Sequence, residues 1–244
     1  MDRRAAENTL PRLIVLGGRT LEYRFARRRR RSLGISVDGE GLRVAAPLRA
    51  SWRDVESFLH AKERWILAKL EEWSRVPRPK VLKGATGESV PLFGNPLILD
   101  VRESRGRAVR HHADRLVVSA PGPGRVLETL VAWLKSRALE ALAPRADYFA
   151  SRLGVPPPRV GLSRGRTQWG VCMKGGAIRL SWRLVHLDPA LADYAVAHEV
   201  AHLVELNHSK RFWDLVSGLY PGWREARGRL QLAGASLPII RGAQ

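Results

Sequence analysis

Residues 197–208 read Ala-His-Glu-Val-Ala-His-Leu-Val-Glu-Leu-Asn-His, so this segment contains the pattern H-E-x-x-H followed by a third histidine. On a helix, His198 and His202 lie on the same face because they are four residues apart, and both imidazoles can reach one metal ion. Glu199 lies about 100° around the helix from His198, where its carboxylate would stand beside a metal-bound water. Neutral imidazole is a good zinc ligand, and a catalytic zinc keeps three protein ligands and one open position. The segment therefore predicts a catalytic site with one Zn2+ per chain.

The third histidine, His208, can reach the same ion only if the helix ends before it. On a continuous helix it would point away from the face that carries His198. We therefore predict that the helix ends between His202 and His208, and that Asn207 adopts the left-handed conformation that closes helices. Ser209 would then cap a following helix. With this geometry His208 is the third predicted zinc ligand.

The helix that carries the motif is predicted to be buried. Asp188 and Pro189 form a start signal, a cap followed by a first-turn proline. From residue 191 onward the helix is apolar on nearly every face, with four polar exceptions in its second half: His198, Glu199, His202 and Glu205. A buried ionised carboxylate is costly unless a cation or hydrogen bonds compensate it. A metal would supply that compensation, and the alternative is a set of core histidines satisfied by hydrogen bonds.

Length and composition indicate a globular protein. A chain of 244 residues, of which 45% are hydrophobic, can form one large domain or two small ones with a substantial core. Cys172 is the single cysteine, which excludes an internal disulfide framework. The first residues lack the apolar core of a signal peptide, and no segment is apolar over the length that spans a bilayer. We therefore expect a cytoplasmic protein without a membrane partner, and the oligomeric state is left open.

The formal net charge of +19 suggests an anionic partner. The sequence has 42 Lys and Arg residues against 23 Asp and Glu residues, and 35 of the basic residues are Arg. The excess is spread along the chain apart from one dense cluster: Arg27, Arg28, Arg29, Arg30 and Arg31. Clustered arginines bind phosphates, so these five residues are candidate contacts to a nucleotide or nucleic acid. The alternative is a solvated turn.

Residues 1–120 are predicted to form a β-rich region with one helix. Short strand-like segments fill residues 13–44, and Asp38-Gly39-Glu40-Gly41 is a hairpin signal, so we expect a small antiparallel sheet. A capping box at Ser51 begins a helix over residues 51–74. A second β-rich stretch follows the helix. No internal repeat is evident.

Residues 121–244 are predicted to form the second domain. A long helical stretch over residues 126–153 is expected to be bent or split at Pro144. Two strand-like segments, 167–172 and 177–182, form a hairpin directly before the motif helix. Such a hairpin can present an edge strand, to which a peptide substrate adds as a further strand.

Several motifs in this second region carry a family resemblance. They are Trp169-Gly170-x-Cys172, Ile178-Arg179-Leu180-x-Trp182-Arg183-Leu184, Tyr194-x-x-x-His198-Glu199-x-Ala201-His202-Leu203, Asn207-His208-Ser209 and Phe212-Trp213. With these motifs, which lie within residues 160–223, the sequence resembles the YgjP-like metallopeptidase family, a relative of the WLM and SprT-like zincins. The resemblance implies an α+β fold, in which a zincin-like metallopeptidase domain follows the N-terminal antiparallel β-rich region. It also implies that His198, His202 and His208 bind zinc and that Glu199 is the general base.

The sequence departs from the family pattern near these motifs. Gln168 replaces a basic residue, Val171 replaces a small polar residue and Ser181 replaces an asparagine. None of the three is a predicted metal ligand, so the departures concern substrate contacts. The ligand spacing also matches the metzincins, but that family has glycine where this sequence has Glu205. It also has a methionine turn downstream of the ligands, whereas Met173 lies upstream.

The predicted reaction is zinc-assisted hydrolysis of peptide bonds in a protein or peptide substrate. Zinc lowers the pKa of its bound water, and Glu199 takes the proton and delivers it to the leaving amine. An additional donor is expected to stabilise the oxyanion. Four residues are candidate substrate or transition-state contacts, the last three of them as oxyanion donors: Trp169, Arg183, Arg211 and Tyr220. Cys172 is either a regulatory thiolate or a small buried hydrophobe.

Three other functions are open at this point. A nucleoside triphosphate pyrophosphatase would use arginines to grip phosphates while the metal assists hydrolysis of a phosphoanhydride. A DNA-associated SprT-like protease would anchor itself through the arginines at positions 27–31, and its binding would depend steeply on salt. A structural zinc site without catalysis would leave the open coordination position and Glu199 unexplained.

Overall fold

The computed structural model describes residues 10–163, 165 and 168–240, and it shows the predicted α+β class. Thr167, the first residue of a predicted strand, lies outside the described residues. The chain divides into two compact units, of which the first ends at Pro77 and the second begins at Arg78. The sequence placed the boundary at residue 120 instead. The difference arises because the second β-rich stretch shares one hydrophobic core with the C-terminal helices.

The first unit contains a four-stranded sheet, which we call the first sheet. Its strands are β1 (Leu10–Leu16), β2 (Arg19–Arg28), β3 (Gly34–Asp38) and β4 (Gly41–Pro47), in the order β1-β2-β4-β3. The predicted hairpin at residues 38–41 joins β3 and β4, and both hairpins are antiparallel. The sheet as a whole is mixed, because β2 and β4 pair in parallel. Hairpins follow from local turn signals, whereas the pairing between them depends on contacts distant in sequence.

Two helices pack on the first sheet. They are α1 (Trp52–Ala61) and α2 (Glu63–Ser74), and the predicted capping box is present at Ser51. The single predicted helix is interrupted at Lys62, whose N–H donates to both the Phe58 and Leu59 carbonyls. Val55, Leu59 and Ile66 belong to one buried cluster with the core-facing residues of the strands.

The second unit begins with five strands, four of which form the second sheet. These elements are β5 (Val81–Leu82), β6 (Ser89–Leu92), β7 (Asn95–Glu103), β8 (Ala108–His112) and β9 (Arg115–Ala120). Strands β6 to β9 form the second sheet in the order β6-β7-β9-β8, and β5 pairs separately with β13 (Ile239–Ile240). The following helix, α3 (Pro123–Arg152), is continuous through Pro144 rather than split there.

The remaining elements surround the predicted site. They are β10 (Val160–Ser163), β11 (Gly170–Cys172), β12 (Ile178–Ser181), a 3-10 helix (Trp182–His186), α4 (Pro189–Ala201), α5 (Lys210–Leu219) and α6 (Trp223–Ala235). Strands β10, β12 and β11 form the third sheet, in which β12 is central and β11 lies at an edge. The predicted hairpin before the motif helix is therefore present as β11 and β12. No helix within the described residues is long and apolar enough to cross a membrane.

The first and second sheets form an internal repeat that the sequence analysis did not detect. In each sheet two antiparallel hairpins pair through parallel central strands, and a helix follows the fourth strand. The fourth strands contain Leu42-Arg43-Val44-Ala45-Ala46 and Leu116-Val117-Val118-Ser119-Ala120, and the shared Leu, Val and Ala side chains are buried in both. The repeat is hard to see in the sequence because the two sheets share mainly an alternation of buried and exposed positions.

Candidate metal centre

The motif helix α4 is the most buried helix around the site. It begins as predicted, with the Asp188 side chain accepting a hydrogen bond from the Ala190 N–H at 2.8 Å and Pro189 in the first turn. Val196, Ala197, Val200 and Ala201 are fully buried on the faces that do not carry the histidines. This packing fixes the position of His198 and Glu199 relative to the core.

The helix ends earlier than the sequence predicted. Its last residue is Ala201, and His202 follows as the C-terminal cap. The chain then tightens, because the Leu203 and Val204 N–H groups donate to carbonyls three residues back rather than four. The prediction that Asn207 closes the helix in a left-handed conformation is wrong. Among the described non-glycine residues, only Phe93 and Ala113 have positive φ.

The turn after α4 brings the three predicted ligand histidines together. One ring nitrogen from each of His198, His202 and His208 lies within 4.8 Å of the others. The Nε2 atoms of His198 and His208 are 3.1 Å apart. Two tetrahedral zinc ligands with bonds of about 2.0–2.1 Å would be roughly 3.3–3.4 Å apart, so the donor set fits a zinc ion.

Hydrogen bonding and ring packing hold the histidines in place. The His202 Nδ1 donates to the Glu205 carbonyl at 3.0 Å, which leaves Nε2 unprotonated and able to bind a metal. The buried Phe212 ring stacks on His202 at 4.4 Å, and Trp213 stacks on His208 at 5.6 Å. Both aromatic residues belong to α5, which Ser209 caps as predicted. The rings are therefore restrained before any ion binds.

The environment favours the neutral, ligand form of the imidazoles. Burial, together with the charges of the neighbouring His202, His208 and Arg227, lowers the pKa of His198 to about 4. Burial and the charges of His202 and Arg227 also lower the pKa of His208. Since metals bind the unprotonated ring nitrogen, these shifts keep the site ready for a cation near neutral pH.

Glu199 lies beside the histidines and under the edge strand β11. Its exposure is 7%, and burial raises its pKa to about 7, although a hydrogen bond from the Cys172 backbone N–H opposes this shift. Gly170 allows the close approach, because a Cβ at this position would lie 2.4 Å from the Glu199 Cγ. A group with this pKa can accept and release a proton near neutrality.

A cleft of about 540 Å3 opens over these residues. It is lined by the three histidines and Glu199 together with β11, Trp169 and residues of α4 and α6. Of the four predicted substrate contacts, Trp169 lines the cleft. Arg183 lines a neighbouring cavity and stacks over Trp182, while Arg211 is exposed on α5 and is not among the described cleft residues. Tyr220 packs its ring against Tyr194 at 5.9 Å.

The cleft also contains three polar residues that the sequence analysis did not select. Tyr194 lies one helical turn before His198, so the spacing already in the quoted motif could have identified it. Arg227 and Gln231 come from α6, where they are four residues apart on one face. No local pattern distinguishes them from other surface residues of that helix. Only the packing of α6 against α4 brings them to the cleft.

The predicted arginine cluster belongs to β2 and the turn that follows it. The Arg27 guanidinium is committed to the backbone, because it donates to the carbonyls of Pro47, Leu48 and Ala50 at 3.1, 2.9 and 2.9 Å. Arg28 and Arg30 line a separate concavity on the first unit. Arg29 and Arg31 are exposed. The five residues therefore do not act as one surface.

The histidine cluster, the adjacent carboxyl group and the edge strand are the expected parts of a metallopeptidase site. A family profile described as "YgjP-like, metallopeptidase domain" matches residues 31–233. A comparison with curated proteins found no match. Among solved structures, the metallopeptidase zymogen abylysin from Pyrococcus abyssi is similar at 23% identity and a TM-score of 0.37, covering 40% of this chain and 99% of that chain. Because the profile match covers most of the sequence, the chain belongs to the YgjP-like metallopeptidase family.

Proposed function

We propose that the protein is a zinc-dependent peptidase that cleaves protein or peptide substrates in the cytoplasm. The observation that carries this proposal is the convergence of three imidazole donors within 4.8 Å, next to a buried carboxyl group whose pKa is about 7. Imidazole ligands, a neighbouring carboxylate and an open cleft are the arrangement in which zinc serves catalysis rather than structure. His198, His202 and His208 would hold the ion.

When bound, zinc supplies an acidified water and polarises the scissile carbonyl. Glu199 accepts a proton from the attacking water and transfers it to the amine of the leaving peptide. Its buried position keeps bulk water from competing for that proton, and the Cys172 N–H orients the carboxylate. A nearby cation lowers the pKa of a carboxyl group, so Glu199 would be ionised and ready to act as a base in the metal-loaded enzyme.

The edge strand β11 offers a place for the substrate backbone. The Met173 N–H donates to Ala177 and the Ser181 N–H donates to Trp169, so the odd-numbered residues of this strand face β12. Gly170 and Cys172 therefore direct their backbone groups outward, since hydrogen-bonding direction alternates along an antiparallel strand. The Cys172 N–H is used by Glu199, which leaves the Gly170 groups and the Cys172 carbonyl for a peptide. We infer that the substrate adds to β11 as a further strand.

The oxyanion donor is assigned to a residue that lines the cleft. Tyr194 fits this role best, because it is one turn from His198 on the same face and its ring centre is 6.1 Å from the imidazole. Tyr220 would position Tyr194 by packing against its ring. Trp169 would contact the substrate directly. Arg183 and Arg211 do not line the cleft, so we assign them no part in the reaction.

Metal analysis tests the centre of the proposal. We expect one equivalent of zinc in the wild-type protein, little or none in His208→Ala, and an unchanged amount in the control His112→Ala, whose histidine is exposed on β8. Glu199→Gln should keep the zinc but cleave casein about 100-fold to 10,000-fold more slowly, because it removes the general base. A wild-type protein that binds no metal would contradict the proposal.

Arg227 in the cleft favours one alternative function, the hydrolysis of a nucleotide. Arg227 lies in the cleft close enough to lower the pKa of two of the histidines, and a guanidinium there could grip a phosphate. A nucleoside triphosphate pyrophosphatase would release pyrophosphate from a nucleotide panel and leave casein intact. Casein cleavage that disappears in Glu199→Gln, without pyrophosphate release by the wild type, supports the peptidase.

A further inference from the structure

A second concavity lies on the outer face of the first sheet, in the first unit. Its volume is about 570 Å3, and four arginines line it: Arg24, Arg28, Arg30 and Arg43. Its floor is formed by short and aliphatic side chains, among them Ala26 and Ala45. We call this surface the arginine concavity. It contains none of the residues that line the metal cleft.

Strand alternation explains which arginines reach this surface. On β2, Tyr23 and Phe25 point into the core, so Arg24 and Arg28 project from the opposite face. Arg27 points to the core side, where its guanidinium is used by backbone carbonyls. A run of consecutive arginines is therefore separated into different surfaces by the period of the strand.

The arginines are spread over three successive rows of the first sheet. Arg24 and Arg43 are direct partners in the β2–β4 register, and both donate to one carboxylate oxygen of Glu40. In the next row, which contains Ala26, Ala45 and Gly34, the Arg30 guanidinium covers Gly34, since a Cβ there would lie 2.5–2.9 Å from three of its atoms. Arg28 is four residues from Arg24 along β2, which separates their Cα atoms by about 13 Å.

The Glu40 contact shows what the concavity can bind. Two guanidinium groups converge on a single anionic oxygen, and hydrogen bonds from Arg24 and Arg43 lower the pKa of Glu40. Arginine binds phosphate oxygens with the same geometry. The Glu40 side chain is 60% exposed, so an incoming phosphate can displace it.

The spread of the arginines over the sheet indicates what kind of ligand fits. Phosphates spaced along a chain can contact arginines whose Cα atoms are about 13 Å apart without drawing the side chains to one point, so a ligand with several phosphates along a chain uses this surface best. A flexible single strand can follow a concavity of about 570 Å3, whereas the rigid double helix is too wide to enter it. We propose that the arginine concavity binds a short segment of single-stranded nucleic acid through its phosphates.

The second sheet supplies an internal comparison for this proposal. At the positions that correspond to Arg24, Arg28 and Arg43, the second sheet has Asp100, Ser104 and Val117. The repeated fold therefore forms without arginines at these places. Their presence in the first sheet is a property of that surface rather than a requirement of the sheet.

Fluorescence anisotropy of the full chain with a labelled single strand of about ten nucleotides tests the proposal. Loss of a charge-assisted contact weakens binding about tenfold, so we expect a tenfold to hundredfold loss in Arg28→Gln/Arg30→Gln. The control Arg102→Gln/Arg110→Gln removes the same charge from the outer face of the second sheet and should change affinity less than about threefold. Thermal melts confirm that each variant is folded.

Two further variants test whether binding depends on the position of the Arg30 guanidinium and on competition by the Glu40 carboxylate, rather than on net charge alone. Gly34→Ala keeps the charge but displaces the Arg30 guanidinium, so it should weaken binding. Glu40→Gln removes the competing carboxylate and should strengthen it. Equal losses in the two double variants, or a wild type that does not bind at physiological salt, would overturn the proposal. Competition by inorganic tripolyphosphate as strong as that by unlabelled oligonucleotide, at equal phosphate concentration, would overturn it in favour of a small phosphate ligand.

Discussion

The first and second sheets have the same strand order, but among the described residues only the second sheet contacts the segment that leads into the helix of the histidine cluster. In the first sheet, the turn between β1 and β2 meets its own following helices, where a Cβ on Gly17 would lie 2.7 Å from Leu67. In the second sheet the corresponding turn meets the segment that leads into α4, and the Phe93 N–H donates to the Val185 carbonyl at 2.7 Å. The same supersecondary unit thus occurs once as a self-contained layer and once as the support of α4, the helix that carries His198 and Glu199.

The residues in the two turns show how that support is obtained. Both turns need positive φ at two positions, and the first turn meets this need with Gly17 and Gly18. The second uses Phe93 and Gly94, so a non-glycine residue stays in the left-handed region at φ 49°. Its strain is compensated by the bond to Val185 and by packing of the ring against the core. The turn that positions the site is the one that retains a strained residue.

The largest loss of peptidase activity is expected where β11 contacts Glu199 near the end of α4, rather than at the second turn, which supports the beginning of α4. Gly170→Ala should reduce casein cleavage about 1,000-fold, because the new Cβ would lie 2.4 Å from the Glu199 Cγ and force the proposed general base out of position. Zinc content should be unchanged, since the three atoms nearest to the new Cβ all belong to Glu199. Activity assays with metal analysis measure both quantities.

Gly161→Ala is the matched control for this variant. It changes the same residue type in β10 of the same sheet, where a Cβ would meet nothing within 4 Å. We expect nearly wild-type cleavage. If both variants lose activity equally, the effect belongs to the sheet as a whole and not to the contact with Glu199.

A second pair of variants compares the two turns directly. Gly94→Val and Gly18→Val both place a branched side chain at positive φ, which costs about 1–2 kcal/mol of stability in each case. Only at Gly94 would the Cβ also press on Asp188, 3.3 Å from its Cα, whereas nothing lies within 4 Å at Gly18. A shift of the helix start by about 1 Å should cost Gly94→Val about 100-fold in peptidase activity. Similar activity in the two variants would show that the second turn does not position α4.

The candidate site was more predictable from the sequence than the fold that surrounds it. His198, Glu199 and His202 lie within five residues, so helical geometry alone places them together, and the position of His208 beside them followed from the turn predicted before it. The exact end of α4 was missed because a tight turn formed by backbone hydrogen bonds replaced the expected asparagine cap. Local patterns also found the hairpins.

The parts that were missed depend on contacts distant in sequence. The parallel pairing of β2 with β4, the boundary at Pro77 and the position of Arg227 in the cleft are set by which apolar faces share a core. A single sequence records the alternation of those faces but not their partners. The charge of the arginine cluster was visible, but its separation into different surfaces depended on the register of one strand.

A buried histidine next to the second turn is expected to make the stability of the protein depend on pH. The His186 Nδ1 donates to the Pro91 carbonyl at 2.6 Å, next to the second turn, and His186 is buried. Burial lowers its pKa from 6.5 to about 4, although the bond to Pro91 opposes this shift and Arg183 adds to it. The unfolded chain therefore binds more protons than the folded one between pH 4 and 6.5, and stability falls as the pH falls through that window.

The loss attributed to His186 is on the order of 3 kcal/mol at the acid end of the window. Denaturant unfolding at pH 7.5 and 4.5 measures it, with His186→Asn as the comparison because asparagine keeps a donor for Pro91 without titrating. We expect a smaller fall in stability for the variant than for the wild type. Equal falls in the two proteins would assign the acid sensitivity to other groups.

The smallest effect on peptidase activity is expected when the first unit is removed and only the second remains. The buried residues of the two units form separate hydrophobic clusters, and every residue of the metal cleft belongs to the second unit. A chain of residues 78–244 should therefore fold cooperatively, bind one zinc and cleave casein within about twofold of the full chain. It should at the same time lose binding to single-stranded nucleic acid, because the arginine concavity lies in the part removed. Loss of cleavage in a folded, zinc-loaded 78–244 chain would show that the first sheet also supports catalysis. The two sheets would then both contribute to activity and would differ only in how much.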